Sequence, residues 1–156
     1  MACRSRKGTS IPTTAAVWST RFAWGGSRSM RAATTAIREG DIDGNDATVG
    51  DPSWNSLQNT PAISDYPSTM SLNSGAAAAA LASVLGTDQV PFRVTSEAPF
   101  PDIIRVFTSF SQAAREAADS QVYAGIHFPI GCEDGLILGR KIGERSVALY
   151  LQPAQK

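Results

Sequence analysis

The sequence is short of the groups that usually announce a function. It holds one histidine, His127, and two cysteines, Cys3 and Cys132. The cysteines give no metal-ligand spacing, and Cys3 falls in an unstructured-looking stretch, so no structural disulfide is expected. Lys plus Arg equal Asp plus Glu at 14 each, leaving a formal net charge of zero. No global charge therefore argues for nucleic acid or an anionic membrane surface as partner. Long apolar runs are missing too. None follows the first basic cluster, so no secretory signal is read. The most apolar stretch, residues 75–85, is too short and alanine-rich to span a bilayer. A soluble protein with no membrane span is expected, its location left open.

Acids are absent from the whole start of the chain. Up to Arg38 there are seven Lys or Arg and no Asp or Glu; from Glu39 onward fourteen acids face seven bases. Residues 1–30 read as a basic, Ser/Thr-rich head. A transit-like leader, an interaction arm and a disordered start compete as explanations. The disordered start is preferred, because no apolar periodicity appears before Arg31. Residues 31–151 are read as one helical domain.

Four helices are predicted there. The first runs from about Arg31 to Arg38 and stops at Gly40 as a C-cap. Polar, glycine- and proline-punctuated loops follow, DIDGNDATVGDPS and NTPAISDYPSTMS. The second helix runs from Leu72 or Ser74 to Leu85, carries five consecutive alanines and ends at Gly86. The third starts near Pro101 and Asp102, with Ile103, Ile104, Phe107, Phe110 and Ala114 at the spacing of one buried face. The fourth runs from about Cys132 to Leu149, with Glu133 and Asp134 in its first turn and Arg140, Lys141 and Arg145 later, as the helix dipole prefers. Its Gly135, Gly139 and Gly143 make a smooth groove for another helix. The fold class is thus all-α, a helical bundle. Its core is thin, which points to a larger bundle or to a homo-oligomer.

Among chemical candidates, Asp41, Asp43, Asn45 and Asp46 sketch a calcium loop, but the glycine is misplaced and Pro52 stands where the final glutamate belongs, so a solvated turn is expected. Trp54 and Tyr66 read as packing residues. Ser68 lacks the context of a hydrolase nucleophile. His127 is the better candidate. It sits in SQVYAGIHFPIGCEDGLILGRKIG, just before a helix whose N-terminal N–H groups suit an oxyanion.

Residues 31–146 resemble the C-terminal half of the vanadium-dependent haloperoxidase and type-2 phosphatidic acid phosphatase superfamily. YAGIHF, then ExG and LGRKIG, resembles its third signature: Ser-Arg, five residues, His, three residues, Asp. NTPAISDYPSTMS resembles the second, Pro-Ser-Gly-His or Pro-Ser-Thr-His, ahead of an Ala-rich helix. TTAIREGDIDGN to DPSW is similar to the stretch between the first and second signatures. The resemblance implies a partial haloperoxidase- or acid-phosphatase-like bundle that holds a small anion, vanadate as cofactor or phosphate as substrate, on His127. In that chemistry Lys and Arg neutralise the anion's oxygens, a second His exchanges protons, and an Asp orients the first His.

Position by position, His127 falls on the anion-linking His, and Pro67, Ser68 and Thr69 on the second signature. Ser120 falls on the signature Ser, with Gln121 in place of Arg. Gly131 replaces the Asp, with Glu133 and Asp134 close by as substitutes. Met70 replaces the acid/base His, and Ala32 and Ala33 replace Arg-Pro. Losing one donor to a transition-state oxyanion costs about 3–4 kcal/mol. Two readings follow: an anion site of His127 (the vanadate ligand), Ser68, Thr69, Ser120 and Gln121 with impaired turnover, or a non-catalytic remnant serving only packing or oligomerisation.

Overall fold

Capping serines, Ser68 and Ser109, start two of the three long helices, and a left-handed glycine, Gly86, stops one of them. The computed structural model describes residues 31–42, 44, 46–97 and 102–151. The basic head therefore lies outside the described residues. Helix α1 spans Ala33–Arg38 and a short 3-10 turn follows at Gly40–Ile42. Helix α2 spans Thr69–Leu85, strands β1 and β2 span Phe92–Thr95 and Ile104–Phe107, α3 spans Phe110–Tyr123 and α4 spans Pro129–Tyr150. The architecture is mostly helical, with one small antiparallel hairpin.

Helix α2 begins earlier than the alanine run suggests, because Ser68 caps it: its Oγ accepts from Ser71 N at 3.3 Å. It ends as expected at Gly86, whose φ of 72° is a left-handed cap. Helix α1 ends at Arg38 as expected, but its C-cap is Glu39, and Gly40 opens the 3-10 turn. Helix α4 starts at Pro129, not Cys132. Proline suits the first turn, where its missing N–H costs nothing. Glu133 and Asp134 consequently lie beyond that turn, which holds no acid.

The predicted third helix is corrected. Ile104–Phe107 is a strand, paired antiparallel with β1 in the register Phe92 to Phe107 and Thr95 to Ile104. IRVF is β-branched and aromatic, which favours a pleated surface over a helix. The apolar spacing that suggested one helical face reflects aromatic packing across the hairpin: Phe92 lies 5.3 Å from Phe107 and 5.6 Å from Phe110, centroid to centroid. Helix α3 begins afresh at Phe110, capped by Ser109, whose Oγ accepts from Gln112 N at 3.0 Å. Arg105 and Glu116 tie β2 to α3 through two hydrogen bonds of 2.8 and 2.6 Å. That pairing lowers the Glu116 carboxyl below its ordinary range.

The central contact is α2 against α4. The expected glycine groove makes it. A Cβ on Gly135, Gly139 or Gly143 would stand 2.7, 2.0 or 2.3 Å from the carbonyl oxygens of Ser68, Leu72 and Ala76. The paired numbers rise together, so the two helices run parallel, backbone against backbone. Little large apolar surface is buried. The buried hydrophobic positions are Ala33, Phe107, Ala114, Ala118, Ala124, Cys132 and Val147 among the described residues.

Candidate functional site

His127 lies in the turn between α3 and α4. Gly125 reverses the chain there with a φ of 74°. The Trp54 ring closes over it, so close that a Cβ would meet Trp54 Cη2 at 2.8 Å. The amides of Ile126 and His127 both donate to the Gln121 carbonyl, at 3.0 and 3.3 Å. The ring is thereby turned inward, and its side chain is 1% exposed.

Its partner comes from far upstream. Nδ1 stands 2.8 Å from the backbone carbonyl of Asp65 and 3.3 Å from that residue's Oδ1. Oδ1 also accepts from Phe128 N at 2.8 Å. Asp65 N donates to the Arg31 carbonyl at 3.0 Å, and Ser68 N to the Gly131 carbonyl at 2.9 Å. The 65–68 loop is thus stitched to the start of α4 at two residues that follow His127, Phe128 and Gly131. The Asp65 side chain is 4% exposed. A carboxylate that deep must be partnered, and it is.

The start of α4 is less open than the sequence suggests. Phe128 N is taken by Asp65, Pro129 has no N–H, and the Gly131 and Cys132 amides donate to the Phe128 carbonyl at 3.1 and 3.3 Å. The carboxylate of Asp65 already sits where an incoming anion was expected.

The other predicted positions divide around this centre. Gln121 holds the His127 backbone through its carbonyl, while its side-chain amide donates to Ser120 Oγ at 3.4 Å. The Ser120 hydroxyl donates to the Ala117 carbonyl at 2.7 Å. Ser68 is fully buried, its Oγ accepting from the Ser71 hydroxyl at 3.0 Å. Thr69 and Met70 are exposed on the first turn of α2. Asp134 accepts from the Tyr66 hydroxyl at 2.5 Å, and Glu133 lies 3.8 Å from Arg115. Those carboxylates are engaged elsewhere; the acid beside His127 is Asp65, which reading the signature by spacing misses. Cys132 is buried beside Ser68 and Ser71, and burial pushes its thiol pKa up against the pull of those hydroxyls. In the calcium-like loop, Asp41 Oδ1 accepts from Gly50 N at 2.8 Å, while Asp43 and Asn45 lie outside the described residues.

Residues 12–156 match the family described as the VCPO second helical-bundle domain. The chain belongs to that family. It is a haloperoxidase-like helical domain, and its resemblance to the vanadium haloperoxidases holds in three dimensions. A bacterial vanadium-dependent iodoperoxidase is 42% identical, with a TM-score of 0.58 over 63% of this chain and 24% of its own. The holo-type bacterial vanadium-dependent chloroperoxidase shares the fold at 19% identity, with a TM-score of 0.56 over 72% of this chain and 28% of its own. The chain therefore spans about a quarter of the solved structures it matches. No curated protein matches it. Among the described residues no helix is long and apolar enough to cross a membrane, and no cluster of three His, Cys, Asp or Glu could hold a metal cation.

Proposed function

We propose that this domain is an oxyanion-binding module of the haloperoxidase type, with vanadate or phosphate held on Nε2 of His127 and turnover impaired. The observation that carries the reading is the fixed engagement of Nδ1 with Asp65, which leaves the opposite ring nitrogen as the group to meet a ligand. Ser120 and Gln121 lie at the adjoining end of α3, and Ser68 and Thr69 at the adjoining start of α2. Vanadate, when bound in this family, supplies the centre that activates peroxide. The donors fit anion binding better than turnover: Gln121 brings no charge where the signature has a guanidinium, and Met70 brings no proton.

The near-complete burial of the imidazole and the bonded start of α4 favour a second reading, a non-catalytic packing or oligomerisation module. Orthovanadate titration followed by vanadium-51 NMR separates the two. Binding that His127→Ala abolishes supports the anion module. No binding by the wild-type chain defeats it and leaves the packing module. Phosphatase and peroxide-dependent halogenation assays on the same protein are expected to give little turnover; rates typical of an intact enzyme would overturn the impaired site.

A further inference from the structure

The acid that orients the histidine in the family's signature is missing at Gly131, yet His127 does not lack a carboxylate. We infer that Asp65 is the positioning residue of His127, and that the glycine at 131 is what admits it. Three observations converge.

The first is chemical. The Asp65 carbonyl can only accept, so at 2.8 Å the ring nitrogen facing it must carry the proton. In its neutral form His127 is thereby held as the Nδ1–H tautomer, with the in-plane lone pair on Nε2. Among the described residues the hydrogen bonds of this ring run through Nδ1 alone.

The second is steric. A Cβ at Gly131 would stand 2.7 Å from the Asp65 carbonyl oxygen and 3.5 Å from Oδ2. The loop fills the volume that a side chain at 131 would need. The carboxylate of the signature and the Asp65 loop are mutually exclusive at this spot.

The third is the double duty of Oδ1. It reaches both Nδ1 and Phe128 N. One carboxylate therefore lies against the ring and holds the amide of the residue before α4, so the imidazole and the helix start share an anchor. Asp65 acts through His127 and touches no ligand itself.

The use of Nε2 toward an anion rests on the function proposed above; the tautomer does not. His127 is the sole histidine, so nitrogen-15 NMR of the full chain labelled at histidine reads one ring. Above neutral pH the wild type should show Nδ1 protonated and Nε2 bare. Asp65→Ala keeps the backbone carbonyl but removes the Oδ1 that anchors the loop to Phe128 N. Without that anchor the carbonyl should draw away from Nδ1 and the ring shift toward the Nε2–H form that free imidazoles favour in water. Asp65→Asn should restore the wild-type pattern, because its amide oxygen still accepts from Phe128 N. Gly131→Ala tests the same contact without touching the carboxylate. It should displace the Asp65 carbonyl and perturb the tautomer with helicity retained, so the test survives if Asp65→Ala fails to fold. A wild-type ring protonated on Nε2, or a tautomer unmoved in folded Asp65→Ala and Gly131→Ala, overturns the proposal. If the tautomer behaves as stated and vanadate does not bind, the anion reading fails and this one stands.

Discussion

At the scale of single residues, the site is set by what lies beside His127 more than by His127 itself. Asp65 is the clearest case. In the sequence it is one acid in a Pro- and Ser-rich loop, 62 positions from the histidine. The search for an orienting acid runs along the signature's own spacing, to Gly131 and then to Glu133 and Asp134. Nothing local links 65 to 127; only the folded loop does. Cys132 offers a check at this scale. It is 3% exposed and its thiol is pushed up by burial. The nucleophilic thiolate is therefore scarce in the folded state. Reaction with a thiol reagent near neutral pH should proceed only as fast as the domain opens, and rise sharply in denaturant; rapid labelling of native protein would contradict the packing around Ser68 and Ser71. The sign for stability follows. The unfolded thiol ionises first, so the contribution of Cys132 is whole below the ordinary thiol pKa and is lost as pH rises toward the folded value.

Among elements, the α2–α4 contact makes the sharpest demand. Helix propensity alone says that Gly139→Ala stabilises α4 by about 1 kcal/mol. Packing says the reverse, since the new Cβ would stand 2.0 Å from the Leu72 carbonyl oxygen. Overpacking costs about 1–3 kcal/mol and occasionally more. Chemical denaturation should show Gly139→Ala destabilised toward the top of that range. Gly86→Ala, in open space but at φ 72°, should lose about 1–2 kcal/mol from backbone conformation alone. A stabilised Gly139→Ala would refute the backbone contact. This contact was legible beforehand, because glycine every fourth residue has few other uses in a charged helix. The Gly86 stop was equally legible. The hairpin was not. Ile103, Ile104, Phe107 and Phe110 fit a helical face by spacing, and the pairing of FRVT with IRVF is a long-range fact. Periodicity registers which residues are apolar, not which partner they meet.

For the molecule as a whole, the inventory of exposed apolar side chains is telling. Ile130 is 62% exposed and Val84 59%, with Leu81, Leu85, Ile137, Leu138 and Ile142 also open along α2 and α4. Alanine and glycine bring the helices together but cover little area, so these side chains remain outside. The thin core was foreseeable from that composition. The chain also spans only about a quarter of the solved structures it matches. Alone in solution, it is expected to self-associate in sedimentation velocity or to bind a hydrophobic dye such as ANS. A monodisperse monomer that binds no dye would show these faces to be self-sufficient.

The glycine ladder finally acts as an indexing device. Gly131, Gly135, Gly139 and Gly143 lie on the carbonyls of Asp65, Ser68, Leu72 and Ala76 in turn. Each is a tooth that admits one carbonyl and no Cβ. Slipping α2 by a single residue along α4 would drive a side chain into a notch that has no room for it. The Asp65 loop is the last tooth of the same rack. The placing of Asp65 against His127 is thus indexed along the stretch of α4 from Gly131 to Gly143, about 18 Å at about 1.5 Å per residue. A mutation at Gly143, far along the rack, would be felt at the imidazole as a change of gearing.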